Sequence, residues 1–205
     1  MQLTENQTDA LSELINIGFS RTAASLSELT SHRVMLDVPR VEIYPVSELL
    51  TRLAQFLPAD LASVHQVFTG PLTGDALLLL SHDGARTLTS LLTDESVSPG
   101  RLNESAREVL TEVGNILLNA CLGVFGNLLQ VRVSFSVPRL HLETLTDMVK
   151  SLVIDKEELR YALVVYTAFR VRDSAISGYL VIALSVVSLD RLIQEVEKWE
   201  NSLGN

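Results

Sequence analysis

Over the first part of each half, residue n of this chain lies in register with residue n+99 without gaps, and that duplication limits the fold more than any other feature. The register pairs Glu5 with Glu104, Leu11 with Leu110, Glu13 with Glu112, Asn16 with Asn115 and Ile17 with Ile116. It continues through Leu29 and Leu128, Arg33 and Arg132, and Val34 and Val133, and maps VPR at 38–40 onto VPR at 137–139. Further on, GDALLLL matches GYLVIAL once a few residues are inserted. Two copies of one helix-and-strand unit most easily share a sheet. The expected architecture is therefore α+β, a single domain over 1–205 made of two repeats at about 4–95 and 103–203. Its tandem pseudo-two-fold repeat implies a mostly antiparallel central sheet with the two long duplicated helices packed on it.

Local signals place the elements of each copy. Thr4 with Gln7 three positions on reads as a capping box opening a helix over about 5–29, and Asn103 caps the matching helix to about 128. HRVMLDVPRVEIYPV is rich in β-branched residues and interrupted by Pro39 and Pro45, so it reads as a strand with a proline-marked bend or edge. SELLTRLAQFL is a short helix, and VHQVFTGPL with GDALLLLS is an antiparallel pair around a Thr-Gly turn, followed by a helix over about 83–93. Pro99 and Gly100 punctuate the join between copies. The second copy repeats the order: VRVSFSVPRLHL, a short helix near LTDMVKSLV, strands near YALVVYTAFRV and GYLVIALSVV, and a closing helix from Ser188.

A hydrophobic content of 47% supports a substantial core, while a formal charge of −9 argues against a nucleic-acid or anionic-membrane surface, both of which need concentrated Lys and Arg. No apolar run reads as a bilayer span and MQLTENQTDAL lacks the regions of a signal peptide, so the expected location is the cytoplasm. The single cysteine, Cys121, lies on the apolar side of its helix and reads as a buried, inert thiol. His32, His65, His82 and His141 have no spacing suited to a metal, and GPLTGD is a hairpin turn without the Walker lysine. Leu192, Ile193, Val196, Trp199 and Leu203 form a stripe that docks the last helix on the core.

Within the long helices, TEVGNILLN at 111–119 carries Gly114 and Asn115, both poor helix formers, in an otherwise apolar helix. At about 100° per residue, Asp9, Glu13, Asn16 and Ser20 share one narrow stripe, as do Glu108, Glu112, Asn115 and Asn119. Leu110, Val113, Leu117, Cys121, Val124, Phe125 and Leu128 take the opposite arc, so the carboxylates and amides point away from the core. An exposed helical position has many better choices than Asn. Its retention beside Glu in both copies, while neighbouring surface residues diverged, marks a shared constraint.

DALSELIN at 9–16 with Pro39, and EVLTEVGN at 108–115 with Pro138, resemble the Asp/Ser-x-x-x-Glu-x-x-Asn-x22-Pro pattern of the CheC/CheX/FliY phosphatases. The resemblance spans nearly the whole chain, including the two-copy layout, and is strongest to CheC. It implies an enzyme, a protein aspartyl-phosphate phosphatase acting on a phosphorylated CheY-like response regulator in chemotaxis or a related two-component pathway. In such proteins the Asn amide orients the attacking water and the Glu meets the receiver's active-site lysine. The protein has no cofactor of its own, and the Mg²⁺ belongs to the receiver. The resemblance thus assigns Glu13, Asn16, Glu112 and Asn115 as catalytic, with Asp9, Glu108, Pro39 and Pro138 supporting the motif.

Several departures from the pattern bear on the two sites. Ile15 stands where the second copy has the family-like Gly114, and Phe19, Ser20 and Arg21 replace small or amide residues, which would limit access to the first site. Glu108 replaces the usual Asp or Ser, and Gly114 is expected to admit the partner's backbone. Both sites are expected to be competent, with the second favoured. The alternative is a non-catalytic CheC-like adaptor that holds a receiver domain or the receptor deamidase CheD. A flagellar switch component is the weaker fit, because nothing here resembles a switch-docking extension.

Overall fold

The structure is a computed structural model describing residues 4–93, 102–128, 130, 132–154, 159–171 and 174–203. Its first half contains α1 (Glu5–Thr30), β1 (Val34–Leu36), β2 (Arg40–Pro45), α2 (Val46–Leu53), β3 (Asp60–Thr69), β4 (Gly74–Ser81) and α3 (His82–Thr93). The second contains α4 (Glu104–Leu128), β5 (Ser134–Phe135), β6 (Arg139–Thr144), α5 (Leu145–Ile154), β7 (Leu159–Val171), β8 (Ser174–Ser185) and α6 (Val186–Leu203). The expected join at Pro99 and Gly100 lies outside the described residues.

Both predicted caps form. Thr4 Oγ1 accepts from the Gln7 amide while the Gln7 side chain accepts from the Thr4 amide, and Asn103 Oδ1 accepts from the Ala106 amide at 2.8 Å. The helices also end alike: Ser31 (φ +56°) and Gln130 (φ +51°) are the non-glycine residues with positive φ among those described, and they are equivalent in the repeat. Each long strand predicted from the sequence breaks in two at its Val-Pro, giving β1 with β2 and β5 with β6. Proline lacks the amide that a continuous ladder would need.

All eight strands join one antiparallel sheet in the order β1-β7-β8-β4-β3-β5, with β2 also pairing β7 and β6 also pairing β3. The two halves therefore exchange their proline-broken strands. Arg40 lies opposite Tyr166 on β7, and Arg139, its repeat equivalent, lies opposite His65 on β3. The pairing of β4 with β8 joins the halves at the centre, for instance through Leu78 and Leu180.

The sheet is covered on both faces. On one lie α1, α3, α4 and α6, whose Leu11, Ile15, Leu88, Leu110, Leu117 and Val196 pack on Val64, Leu78, Val165 and Ile182. On the other, Leu49 and Leu53 of α2 and Met148 and Leu152 of α5 cover Leu77, Leu79, Val181 and Ala183. This gives three layers, and it explains why β4 is almost uniformly apolar: it is buried on both sides. α1 and α4 also pack on each other, and a Cβ on Gly18 would lie 3.1 Å from Val124 Cγ2 and 3.2 Å from the Ala120 carbonyl oxygen. α4 is long and apolar enough by composition to cross a membrane, and half of its apolar window is buried within the fold.

Candidate functional site

Each long helix buries one side against the sheet and turns its acidic and amide stripe outward. In α1, Leu11, Leu14 and Ile15 are at most 5% exposed, whereas Asp9 and Glu13 are exposed and Asn16 is half-buried between them and the core. In α4, Leu110, Val113 and Leu117 are at most 1% exposed, with Glu108 and Glu112 exposed and Asn115 half-buried. The carboxylate and the amide three residues on thus share one outward face in both copies. Neither Glu13 nor Glu112 forms an ion pair among the described residues, so both carboxylates are available to a cation from outside.

The amides differ in their support. Asn119 Nδ2 donates to Asn115 Oδ1 at 2.8 Å, a part-buried i,i+4 bond along α4. Ser20, the repeat equivalent of Asn119, instead donates its hydroxyl to the Asn16 backbone carbonyl at 2.9 Å. The Asn16 side chain has no hydrogen-bond partner among the described residues. The sequence pattern places Asn119 on the stripe without giving it a task. The signal for one is present, since two amides four residues apart on a helix are within bonding reach.

Two expectations about access change. Gly114 does not face a partner: it is buried under the helix, and a Cβ there would lie 2.5 Å from Val64 Cγ1 and 2.7 Å from Val64 Cβ on β3. Its missing side chain lets α4 sit close on the sheet. Phe19 does not obstruct the first site, because it is 1% exposed and belongs to the core.

Of the supporting residues, Pro39 is buried and Pro138 half-buried. Asp9, Ser12, Val38, Pro39 and Arg40 line one open cavity of about 790 Å³ between α1 and β2, so the first and last residues of the first motif copy meet there. The segments around both prolines are pinned to the sheet. The Asp37 amide donates to the Ala168 carbonyl at 3.0 Å and the Ser136 amide to the Val67 carbonyl at 2.9 Å. Asp37 also accepts two bonds from the Arg170 guanidinium, at 2.6 and 2.9 Å, which hold its carboxyl below the usual carboxylate range.

The remaining chemistry-bearing residues are accounted for elsewhere. Cys121 is fully buried and its thiol is pushed far above the ordinary range by burial, as expected of an inert core residue. No group of three or more His, Cys, Asp and Glu able to hold a metal occurs among the described residues. His65 Nε2 meets Asp75 Oδ1 at 2.8 Å, and His82 Nε2 the Leu61 carbonyl at 3.1 Å. Leu192, Ile193 and Val196 of α6 are buried with Trp199 packed against the same core.

No family model matches the chain. Among characterised proteins, it is 25% identical to the CheY-P phosphatase CheC of Bacillus subtilis over 175 residues, covering 81% of each protein. It is 23% identical over 147 residues to the flagellar motor switch phosphatase FliY of the same organism, covering 71% of this chain and 38% of that protein. Both similarities extend over most of a chain that carries the Glu-x-x-Asn face twice. The chain is similar to members of the CheC/CheX/FliY family. In fold, the chain matches Thermotoga maritima FliY with a TM-score of 0.73 at 19% identity, over 97% of this chain and 99% of that one. It also matches the FliM middle domain of H. pylori with a TM-score of 0.67 at 11% identity, over 94% and 99%. The chain spans 38% of the length of the FliY relative, so it corresponds to only part of that protein.

Proposed function

We propose that the chain hydrolyses the aspartyl-phosphate of a CheY-type response regulator, in chemotaxis or a related two-component pathway in the cytoplasm. The observation that carries this reading is the unpaired Glu with its Asn three residues on, presented outward in equivalent places on α1 and α4. The names of the two relatives, both phosphatases, support it.

The chemistry suits what these side chains offer. Phosphoryl transfer needs mainly positioning and charge stabilisation, and the receiver brings its own lysine and Mg²⁺. The missing component is a held water. Asn16 and Asn115 each offer a neutral amide with both donor and acceptor groups, which can orient water without titrating or adding negative charge beside phosphate. Glu13 and Glu112, one turn earlier, pair with the receiver lysine and set the docking register. Asp9 and Glu108 flank that contact, while Pro39 and Pro138 fix the broken strands beside it. The protein needs neither a nucleophile nor a metal of its own.

The test separates this enzyme from an adaptor that holds a receiver or CheD. A phosphorylated receiver in large excess over the chain is followed to complete decay. Multiple turnovers per chain are expected. Binding that leaves the spontaneous decay rate unchanged would replace the enzyme with the adaptor.

A further inference from the structure

We propose that Asn119 is a positioning residue for Asn115, and that the two sites are inequivalent because the first copy lacks it. This rests on the phosphatase reading above. Asn115 Oδ1 accepts from Asn119 Nδ2 at 2.8 Å, which fixes the plane of the Asn115 carboxamide. Its two Nδ2 hydrogens and the second lone pair of Oδ1 stay available to a water. Asn119 itself is half-buried, and among the described residues its side chain bonds to Asn115.

The bond from Asn119 Nδ2 restrains rotation of the Asn115 carboxamide about its last side-chain torsion. In α1 the same position is Ser20, whose hydroxyl folds back onto the Asn16 carbonyl and leaves the Asn16 amide to rotate. A catalytic amide that must be immobilised during reaction is slower than one already held. The second site is therefore the faster, and the difference lies in kcat.

The test uses single-site proteins. With Asn16→Ala silencing the first site, adding Asn119→Ser is expected to lower kcat about threefold to tenfold without changing KM. With Asn115→Ala silencing the second, adding Ser20→Asn is expected to raise kcat by a similar factor. A loss confined to KM, or no change in kcat in either pair, overturns the inference while wild type remains an active phosphatase. The side-chain NH₂ relaxation of the free protein gives a readout independent of turnover. Asn115 should be more rigid than Asn16, and Asn119→Ser should remove that difference; equal rigidity in wild type overturns the inference. Wild type that does not hasten decay overturns the phosphatase reading separately.

Discussion

Gly114 and Asn115 are neighbours that weaken the same helix for unrelated reasons. Asn115 points outward, whereas Gly114 rests on Val64 with no room for a methyl group. Gly114→Ala is expected to lower stability by about 1–3 kcal/mol in denaturant unfolding, despite the better helix propensity of Ala. Because the clash is with a side chain, Gly114→Ala combined with Val64→Ala should cost at least about 0.5 kcal/mol less than the sum of the singles. On the same helix, a Cβ added to Gly123 would meet nothing within 4 Å, so Gly123→Ala should stabilise by about 0.5–1 kcal/mol. Opposite signs at two glycines of one helix would separate close packing from simple propensity. Similar stabilisation at both would contradict the role given to Gly114.

At the scale of elements, the helix ends show what a single sequence reveals and what it does not. The caps at Thr4 and Asn103 depend on residues three positions apart, and their side chains bond as the sequence implies. The C-terminal ends were not legible, because Ser31 and Gln130 give no glycine or asparagine signal for the left-handed conformation both adopt. Ser31→Gly and Gln130→Gly are expected to stabilise by about 0.5–1 kcal/mol each, read from the shift in denaturant midpoint. The outward Glu and Asn were legible because helical periodicity alone separates that stripe from the core. The task of Gly114 was hidden, since it is set by a strand about 50 residues away in sequence, at Val64.

Across the whole molecule, duplication predicted two similar halves but not their interlocking. β1 and β2 pair with β7, and β5 and β6 with β3, so each half supplies the strand partners of the other. Nothing local to one repeat encodes such an exchange. Residues 1–95 alone should therefore give a poorly dispersed amide spectrum when dilute, and fold only at concentrations where two copies can trade strands. A well-dispersed spectrum from a monomeric half would contradict the interlocked sheet. The same architecture places α1 and α4 side by side on one face, where both Glu-x-x-Asn stripes reach solvent. The central claim is that those two stripes perform the hydrolysis. Its most direct test is the decay of a phosphorylated receiver with wild type, Asn16→Ala, Asn115→Ala and the double variant. Each single variant should keep part of the acceleration and the double variant should lose it by about tenfold or more while still binding the receiver. A double variant as fast as wild type would contradict the account.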